Sequence, residues 1–291
     1  MDQETWITEC FEEHRSRLRA VAYRMLGSAA EAEDAVQEAW LRLSRADATG
    51  VENVPGWLTT IVARVCLNML RSRRARPEEP LDATVPDVHP EAADPEQEAV
   101  LADSVGLALL VVLDTLAPAE RVAFVLHDLF AVPFDEIAPM IDRSPAATRQ
   151  LASRARRRVK GGNALPEADL ARQRAIVDAF LAASRGGDFD ALVALLDPDV
   201  VLHADRAAGP TRAPVELRGA VAVAKGARLS SQRARFTQPV LVNGSVGLVM
   251  APRGRLVLVL AFTIDGDRIT GMDVIADPDR LRDLDLAVLE V

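Results

Sequence analysis

The chain has 291 residues, 49% of them hydrophobic and 26% charged, and its formal net charge is −9. This length gives room for two or three domains, each with a core of its own. The longest apolar run, residues 105–113, is half as long as a membrane span, and the N-terminus is acidic, so the sequence predicts neither a membrane span nor a signal peptide.

Two cysteines, Cys10 and Cys66, stand alone in helical patterns without the spacing of metal ligands. Reduced, buried thiols are typical of a cytosolic protein, where disulfides are rare. We therefore expect a cytoplasmic location, and the sequence predicts neither a disulfide nor a zinc site.

The negative charge is concentrated in one short segment. Residues 77–98 hold 8 acidic side chains and no basic one, whereas residues 1–76 hold 11 of each sign. Residues 99–162 carry a net charge of +1 and residues 163–291 a net charge of −2. The rest of the chain is therefore close to neutral and can present a local basic surface.

Residues 1–76 are predicted to form an all-helical domain. Apolar residues recur at helical spacing in "LRAVAYRML", and "SAAE" at Ser28–Glu31 is a capping box that begins a second helix. A third helix begins at Pro55, a residue favoured in the first turn, and ends in "RSRRAR". The later turns of this helix carry several arginines and an asparagine, which makes it a candidate DNA contact.

Residues 77–98 read "PEEPLDATVPDVHPEAADPEQE" and contain five prolines without a helical or strand period. Proline and uniform negative charge both oppose compaction. The composition therefore predicts an extended, self-repelling linker.

Residues 99–162 are predicted to form a second all-helical domain that contains a helix-turn-helix. After an apolar helix over Val100–Leu113 comes "PFDEIAPMIDRSPAATRQLASRARRRV". Its pattern is a short helix, a tight turn at Asp142–Arg143, Ser144 as N-cap and Pro145 at the first helical position. Two helices joined by so short a turn form a helix-turn-helix, whose second helix usually lies in the DNA major groove.

This second helix is unusually basic. From Arg143 to Lys160 the chain has seven basic residues and no acidic one. The predicted outward face holds Arg149, Gln150, Ser153, Arg154, Arg156 and Arg157. Arginine and glutamine can contact base edges and phosphates, although a solvated helix whose arginines complement the macrodipole has the same pattern.

Residues 163–291 are predicted to form an α+β domain. Helical segments over 166–184, 188–196 and 219–230 precede apolar runs that are separated by Asn243-Gly244 and Asp265-Gly266. These dipeptides are hairpin signals, so the runs predict an antiparallel meander with one sheet face covered by helices.

The segments together resemble the extracytoplasmic-function RNA polymerase sigma factors of the sigma-70 family. "RLRAVAYRMLGSAAEAEDAVQEAWLRL" (17–43) and "GWLTTIVARVCLNMLRSRRAR" (56–76) are similar to region 2 of that family. "LDTLAPAERVAFVLHDLFAVPFDEIAPMIDRSPAATRQLASRARRRV" (113–159) is similar to region 4. Asp142 replaces the glycine that the family often has in the turn, and aspartate tolerates the left-handed conformation.

The resemblance implies two partners, core RNA polymerase and promoter DNA, and neither a membrane, a metal nor a small cofactor. It places core-polymerase contacts at Asp34, Gln37, Glu38 and Trp40, −10 contacts at Arg64, Asn68 and Arg71, and −35 contacts at Arg149, Gln150, Arg154 and Arg157. The acidic linker is expected either to thread the positively charged channels of the polymerase, as a mimic of an RNA strand, or to be a solvated tether.

The tail from residue 163 resembles the SnoaL-like, NTF2-like cone that is fused to one subgroup of these sigma factors and regulates them. The resemblance implies a regulatory role for Asp205, Asp277, Pro278, Asp279 and Leu281. "DPDRL" (277–281) is close to one motif of the subgroup, whereas "DRAAG" (205–209) lacks most of the glycines of the other, which puts regulation through that loop in doubt.

Two other functions are compatible with parts of the sequence. A stand-alone helix-turn-helix regulator would explain the basic helix but not the linker. A cyclase-like enzyme would use His203, Asp205 and Asp273 for proton transfer inside an apolar cone, although these residues have no defining spacing. A ligand that binds in the cone without reacting is a further possibility.

Overall fold

The computed structural model describes residues 3–44, 51, 53–75, 106–161, 165–209, 212–234, 236–252 and 256–289. The linker predicted over residues 77–98 lies outside these ranges. The described residues belong to two compact units. The first contains the residues up to 75 together with 116–157, and the second contains 106–115 and the residues from 158 onward.

Most predicted helices of the described residues begin and end close to the predicted positions, whereas the predicted start of the Val100–Leu113 helix lies outside the described ranges. The described helices are α1 (Gln3–Leu26), α2 (Ala29–Leu43), α3 (Val54–Ala75), α4 (Leu107–Thr115), α5 (Pro118–Phe124), α6 (Phe134–Ile137), α7 (Pro145–Lys160), α8 (Glu167–Gly186), α9 (Phe189–Leu195), α10 (Ala220–Leu229), α11 (Ser231–Ala234) and α12 (Pro278–Arg282). None of them is both long enough and apolar enough to cross a lipid bilayer.

Local sequence signals explain how the helices of the first unit begin and which side they bury. The Ser28 hydroxyl accepts a hydrogen bond from the Glu31 amide, as predicted for the cap of α2. Along α1 the predicted apolar stripe is buried, with Leu18, Val21 and Met25 at most 1% exposed. The predicted Ser28 cap and the apolar period of this region are therefore confirmed, while the Glu31 carboxylate pairs with Arg73.

The first unit combines α1–α3 with the helix-turn-helix segment. Helix α3 packs against α1, α2 and α5. A guanidinium nitrogen of Arg64 in α3 donates to the Pro139 carbonyl at 3.2 Å, and the Arg24 guanidinium lies 5.1 Å from the centre of the Phe130 ring. Residues from the two predicted helical domains thus contact one another within one compact unit.

The second unit is built on one mixed sheet. Its strands are β1 (Leu196–Ala204), β2 (Val215–Arg218), β3 (Thr237–Val242), β4 (Ser245–Met250), β5 (Leu258–Asp265), β6 (Arg268–Ile275) and β7 (Leu286–Ala287). They lie in the order β2-β1-β6-β5-β4-β3-β7. The meander β3 to β6 is antiparallel, as predicted from the hairpin signals, and β1 joins β6 in parallel.

Both faces of this sheet carry apolar side chains. One face, the inner face, packs with α8, α9 and α10 in a cluster that includes Val177, Leu192 and Met272. The other, the outer face, packs with α4 through Val111 and Val112. The sequence predicted one covered face, whereas the nearly continuous apolar runs of β3 to β5 supply residues to both.

Candidate promoter interface and regulatory site

The helix-turn-helix consists of α6, a following 3₁₀ turn (Ala138–Met140), a tight turn and α7. Asp142 in the turn has a φ of +57°, the left-handed conformation expected there. The Ser144 hydroxyl accepts a hydrogen bond from the Ala147 amide at 3.2 Å, and Pro145 begins α7. The predicted cap and turn are therefore present.

Helix α7 separates a buried side from a basic exposed side. Thr148, Ala152 and Ala155 are completely buried. The four predicted −35 residues, Arg149, Gln150, Arg154 and Arg157, are all exposed. The helix therefore presents these four side chains on the solvent side, as its period predicted.

Two acidic residues of α5 and its continuation hold arginines of α7 in place. The Arg154 Nε donates to the Glu120 carboxylate at 3.0 Å, and the Glu120 side chain is only 9% exposed. The Arg156 Nε donates to Asp128 at 2.5 Å. Neither acidic partner could be predicted from the sequence, since both precede the arginines by about 30 positions and no local pattern connects them. Arg154 is thus held by an ion pair, and the Arg149 guanidinium lies 5.8 Å from the centre of the Phe134 ring.

The predicted −10 residues form one stripe on α3. Arg64, Asn68 and Arg71 are exposed and follow the helical repeat. Within the first unit, the Arg64 bond to the Pro139 carbonyl connects this stripe to the 3₁₀ turn of the helix-turn-helix. One candidate DNA contact is therefore engaged inside the protein in this conformation.

The predicted polymerase-contact residues lie on α2 but do not share one environment. Asp34, Gln37 and Glu38 are exposed, and Glu38 forms an ion pair with Arg42 at 2.9 Å. Trp40 is half-buried, and its ring centre lies 5.0 Å from that of Phe11. Trp40 therefore packs α2 onto α1 with part of its ring and leaves the remainder accessible.

In the second unit, the Asp205 side chain binds two separate segments of backbone. Its Oδ1 accepts hydrogen bonds from the amides of Ala207 and Ala208 at 3.0 and 3.1 Å. Its Oδ2 accepts from the amides of Ala276 and Asp277, both at 2.9 Å. The Arg280 guanidinium lies 3.5 Å from Oδ2, and the Asp205 side chain is 9% exposed. We name this arrangement the Asp205 latch.

The second predicted motif begins helix α12. The Asp277 Oδ1 accepts from the amides of Asp279 and Arg280, and Pro278 occupies the first turn. Leu281 is buried in the outer-face cluster. The structure thus brings Asp205 and the 277–281 motif together, whereas the Asp279 side chain is 84% exposed and pairs with Arg282.

A cavity of about 550 Å³ lies beside the latch, with His203, Asp205, Asp273, Asp277 and Arg280 among its lining residues. His203 and Asp273 are paired across β1 and β6. Their strand neighbours Leu202 and Met272 contribute to the inner-face cluster, so His203 and Asp273 lie on the outer face. The His203 side chain is 58% exposed and lies 3.7 Å from Glu216. His203 and Asp273 therefore lie beside charged side chains on the outer face and not in the inner-face cluster.

Comparison with known proteins connects these two units to one family. The Sigma-70 region 2 model matches residues 10–76, and the Sigma-70 region 4 model matches residues 106–159. A probable ECF RNA polymerase sigma factor, SigI of Mycobacterium tuberculosis, is 34% identical over 284 residues, 97% of each chain. The ECF RNA polymerase sigma factor SigJ of the same species is 38% identical and covers 93% of this chain and 91% of its own.

Among solved structures, the crystal structure of M. tuberculosis SigJ is similar with a TM-score of 0.48 and 35% identity, covering 93% of this chain and 96% of SigJ. An NTF2-like protein from Cytophaga hutchinsonii matches 38% of this chain and 93% of its own, with a TM-score of 0.27 and 16% identity.

The near full-length relatives and the ordered pair of sigma regions favour a sigma factor over a stand-alone helix-turn-helix regulator. The chain belongs to the extracytoplasmic-function family of RNA polymerase sigma factors.

Proposed function

We propose that this sigma factor reads the −35 element with Arg149, Gln150, Arg154 and Arg157 and the −10 element with Arg64, Asn68 and Arg71. We also propose that it docks on core RNA polymerase through Asp34, Gln37, Glu38 and Trp40, in the cytoplasm. The fused C-terminal domain modulates this activity. Transcription initiation on promoter DNA is the activity of the family, and these residue roles and the modulation are the proposal.

The observation that carries the proposal is the two-sided character of α7. Its inward residues are buried, and its exposed side combines arginines with Gln150 and has no acidic residue. Glutamine and arginine form bidentate contacts to adenine and guanine in the major groove. Glu120 holds Arg154 at a fixed position, which suits a phosphate contact that sets the register of the helix on DNA.

The compact first unit supports a change of conformation during initiation. The −10 and −35 elements are about 25 base pairs apart, which corresponds to about 85 Å of B-form DNA. A compact 100-residue domain has a radius of gyration of only about 13 Å. A unit in which α3 contacts the turn before α7 cannot occupy both elements, so the two modules must separate on the promoter.

The test is transcription by the full chain with core polymerase, on promoter fragments selected from a genomic library with the unsubstituted chain. Arg149→Ala and Arg157→Ala each lower promoter-specific transcript by about tenfold, as expected for loss of a base or phosphate contact. Arg172→Ala is the matched control, because Arg172 is an exposed arginine of α8 that is 53% exposed and paired with Asp169.

Two outcomes would contradict the proposal. If no fragment gives a specific transcript with core polymerase, the chain does not act as proposed. If Arg149→Ala and Arg157→Ala match Arg172→Ala, α7 is a solvated helix and the −35 assignment is wrong. Tight specific DNA binding in the absence of polymerase would instead favour a stand-alone regulator.

A further inference from the structure

The segment that matches region 4 is divided between the two compact units. The family model covers residues 106–159, but residues 106–115 and 158–159 pack in the second unit with the sheet. Only the central part, 116–157, belongs to the first unit. The second unit therefore holds both ends of the segment that contains the helix-turn-helix.

At the first end, α4 covers apolar residues on the outer face of the sheet. Val111 and Val112 are completely buried in a cluster with Val240, Val249 and Val259. A helix of nine residues is marginal in water by itself and depends on such packing. The sheet is therefore the reason that α4 is a stable helix.

At the second end, the last turn of α7 contacts the C-terminal strand. The Val159 carbonyl accepts a hydrogen bond from the Val288 amide at 2.8 Å, and the Val159 side chain packs against the same outer-face cluster. The following Gly161 has a φ of +79°, and a Cβ there would lie 3.0 Å from the Ala287 Cβ. The chain thus passes close to β7 directly after α7.

The Asp205 latch connects to the same cluster. Leu281 of α12 packs in it with Val111 and Val112, and the backbone just before α12 is held by the Asp205 carboxylate. A continuous set of contacts therefore runs from the cavity beside the latch through Asp205 and Leu281 to α4.

We propose that the C-terminal domain modulates initiation by acting on the −35-reading helix-turn-helix, through a clasp formed by Val111 and Val112 at one end and Val159 at the other. The proposal rests on the modulation proposed above and names its target. Because both ends of the segment are held, loosening of the sheet or the latch changes how α7 is presented to DNA. Region 2 has no comparable element in the second unit among the described residues.

The physical clasp is tested by hydrogen–deuterium exchange on the full chain. Val112→Ala removes two buried methyl groups from the cluster, so amides of α4, β4 and β5 exchange about tenfold faster or more. Val122→Ala, an equally buried valine of the first unit, is the matched control and leaves β4 and β5 unchanged. Leu281→Ala removes a side chain of α12 from the same cluster, and we expect it to have the same effect as Val112→Ala. Unchanged exchange in α4 for both cluster variants would overturn the clasp.

The target of the modulation is tested by transcription on three templates, namely the selected promoter and versions changed in the −35 or the −10 element. Val112→Ala alters the discrimination against the changed −35 template by about threefold and leaves discrimination at −10 unchanged. Equal changes at both elements, or no change at either, would overturn the proposal. If the unsubstituted chain gives no promoter-specific transcript, the proposed function fails, and the exchange experiment still decides the clasp.

Discussion

At the scale of single residues, Asp205 illustrates how one carboxylate can connect two distant segments. Its carboxylate accepts hydrogen bonds from four backbone amides, those of residues 207–208 and 276–277, and its side chain is almost completely buried. Backbone amides that lose such an acceptor in a buried place are expensive to leave unsatisfied. The missing glycines of "DRAAG" do not prevent this arrangement, because the loop is held by Asp205 rather than by glycine conformations.

We predict that Asp205→Asn destabilises the second unit by about 1–3 kcal/mol. The NH2 group that replaces one carboxylate oxygen in asparagine cannot accept a hydrogen bond, so one of the two pairs of backbone amides loses its acceptor. The measurement is denaturant unfolding of the full chain, followed by exchange of the amides in β6 and α12. Asp265→Asn, at the exposed turn between β5 and β6, is the matched control. Equal midpoints for the two variants would show that the latch contributes little.

At the scale of elements, the sequence predicted what each element is better than what it packs against. The Ser144 cap, the left-handed Asp142 and the exposed side of α7 all follow from local patterns, and the structure has them. The apolar period predicted a buried helix before Pro118 but carries no information about its partner. Val111 and Val112 could pack equally well in a helix bundle or against a sheet. The assignment of α4 to the second unit therefore needs the tertiary structure.

The candidate site shows the same division. The exposed positions of α3 and α7 could be predicted from period alone, because exposure follows the helical repeat. The partners Glu120 and Asp128 and the bond from Arg64 to Pro139 could not, since each joins residues from different elements. The cyclase-like alternative placed His203 and Asp273 together inside an apolar cone. Strand alternation alone does not say which face of a sheet the helices cover, so it could not test this placement.

The packing of α3 against α5 predicts an unreactive thiol at Cys66. Burial raises the pKa of Cys66 to about 12, although the charge of Arg121 opposes the shift. At pH 8 the thiol is therefore almost entirely protonated, with about one thiolate in ten thousand. Alkylation of the full chain, in a Cys10→Ser background, should leave Cys66 unmodified until the chain is denatured. Reaction at the rate of the denatured chain would mean that the first unit does not bury this residue.

At the scale of the whole molecule, region 2 and the central part of region 4 belong to one compact unit, while the two ends of region 4 belong to the second unit. A protein that reads two elements about 85 Å apart must exchange the contacts within the first unit for contacts with polymerase and DNA. Residues 76–105 are enough for about 100 Å of extended chain, so the covalent connection does not oppose this separation. We expect binding to polymerase and promoter to supply the free energy of this separation.

The separation of α3 from α7 on the promoter is measured most directly by energy transfer between fluorophores on these two helices. The labels are placed at the exposed positions Ser72 and Ser153, each changed to cysteine in a Cys10→Ser, Cys66→Ala chain. The account predicts efficient transfer in the free chain and a large loss of transfer when core polymerase and promoter DNA are added. Transfer that stays unchanged in an assembled polymerase–promoter complex, or the failure of the chain to bind core polymerase at all, would contradict it.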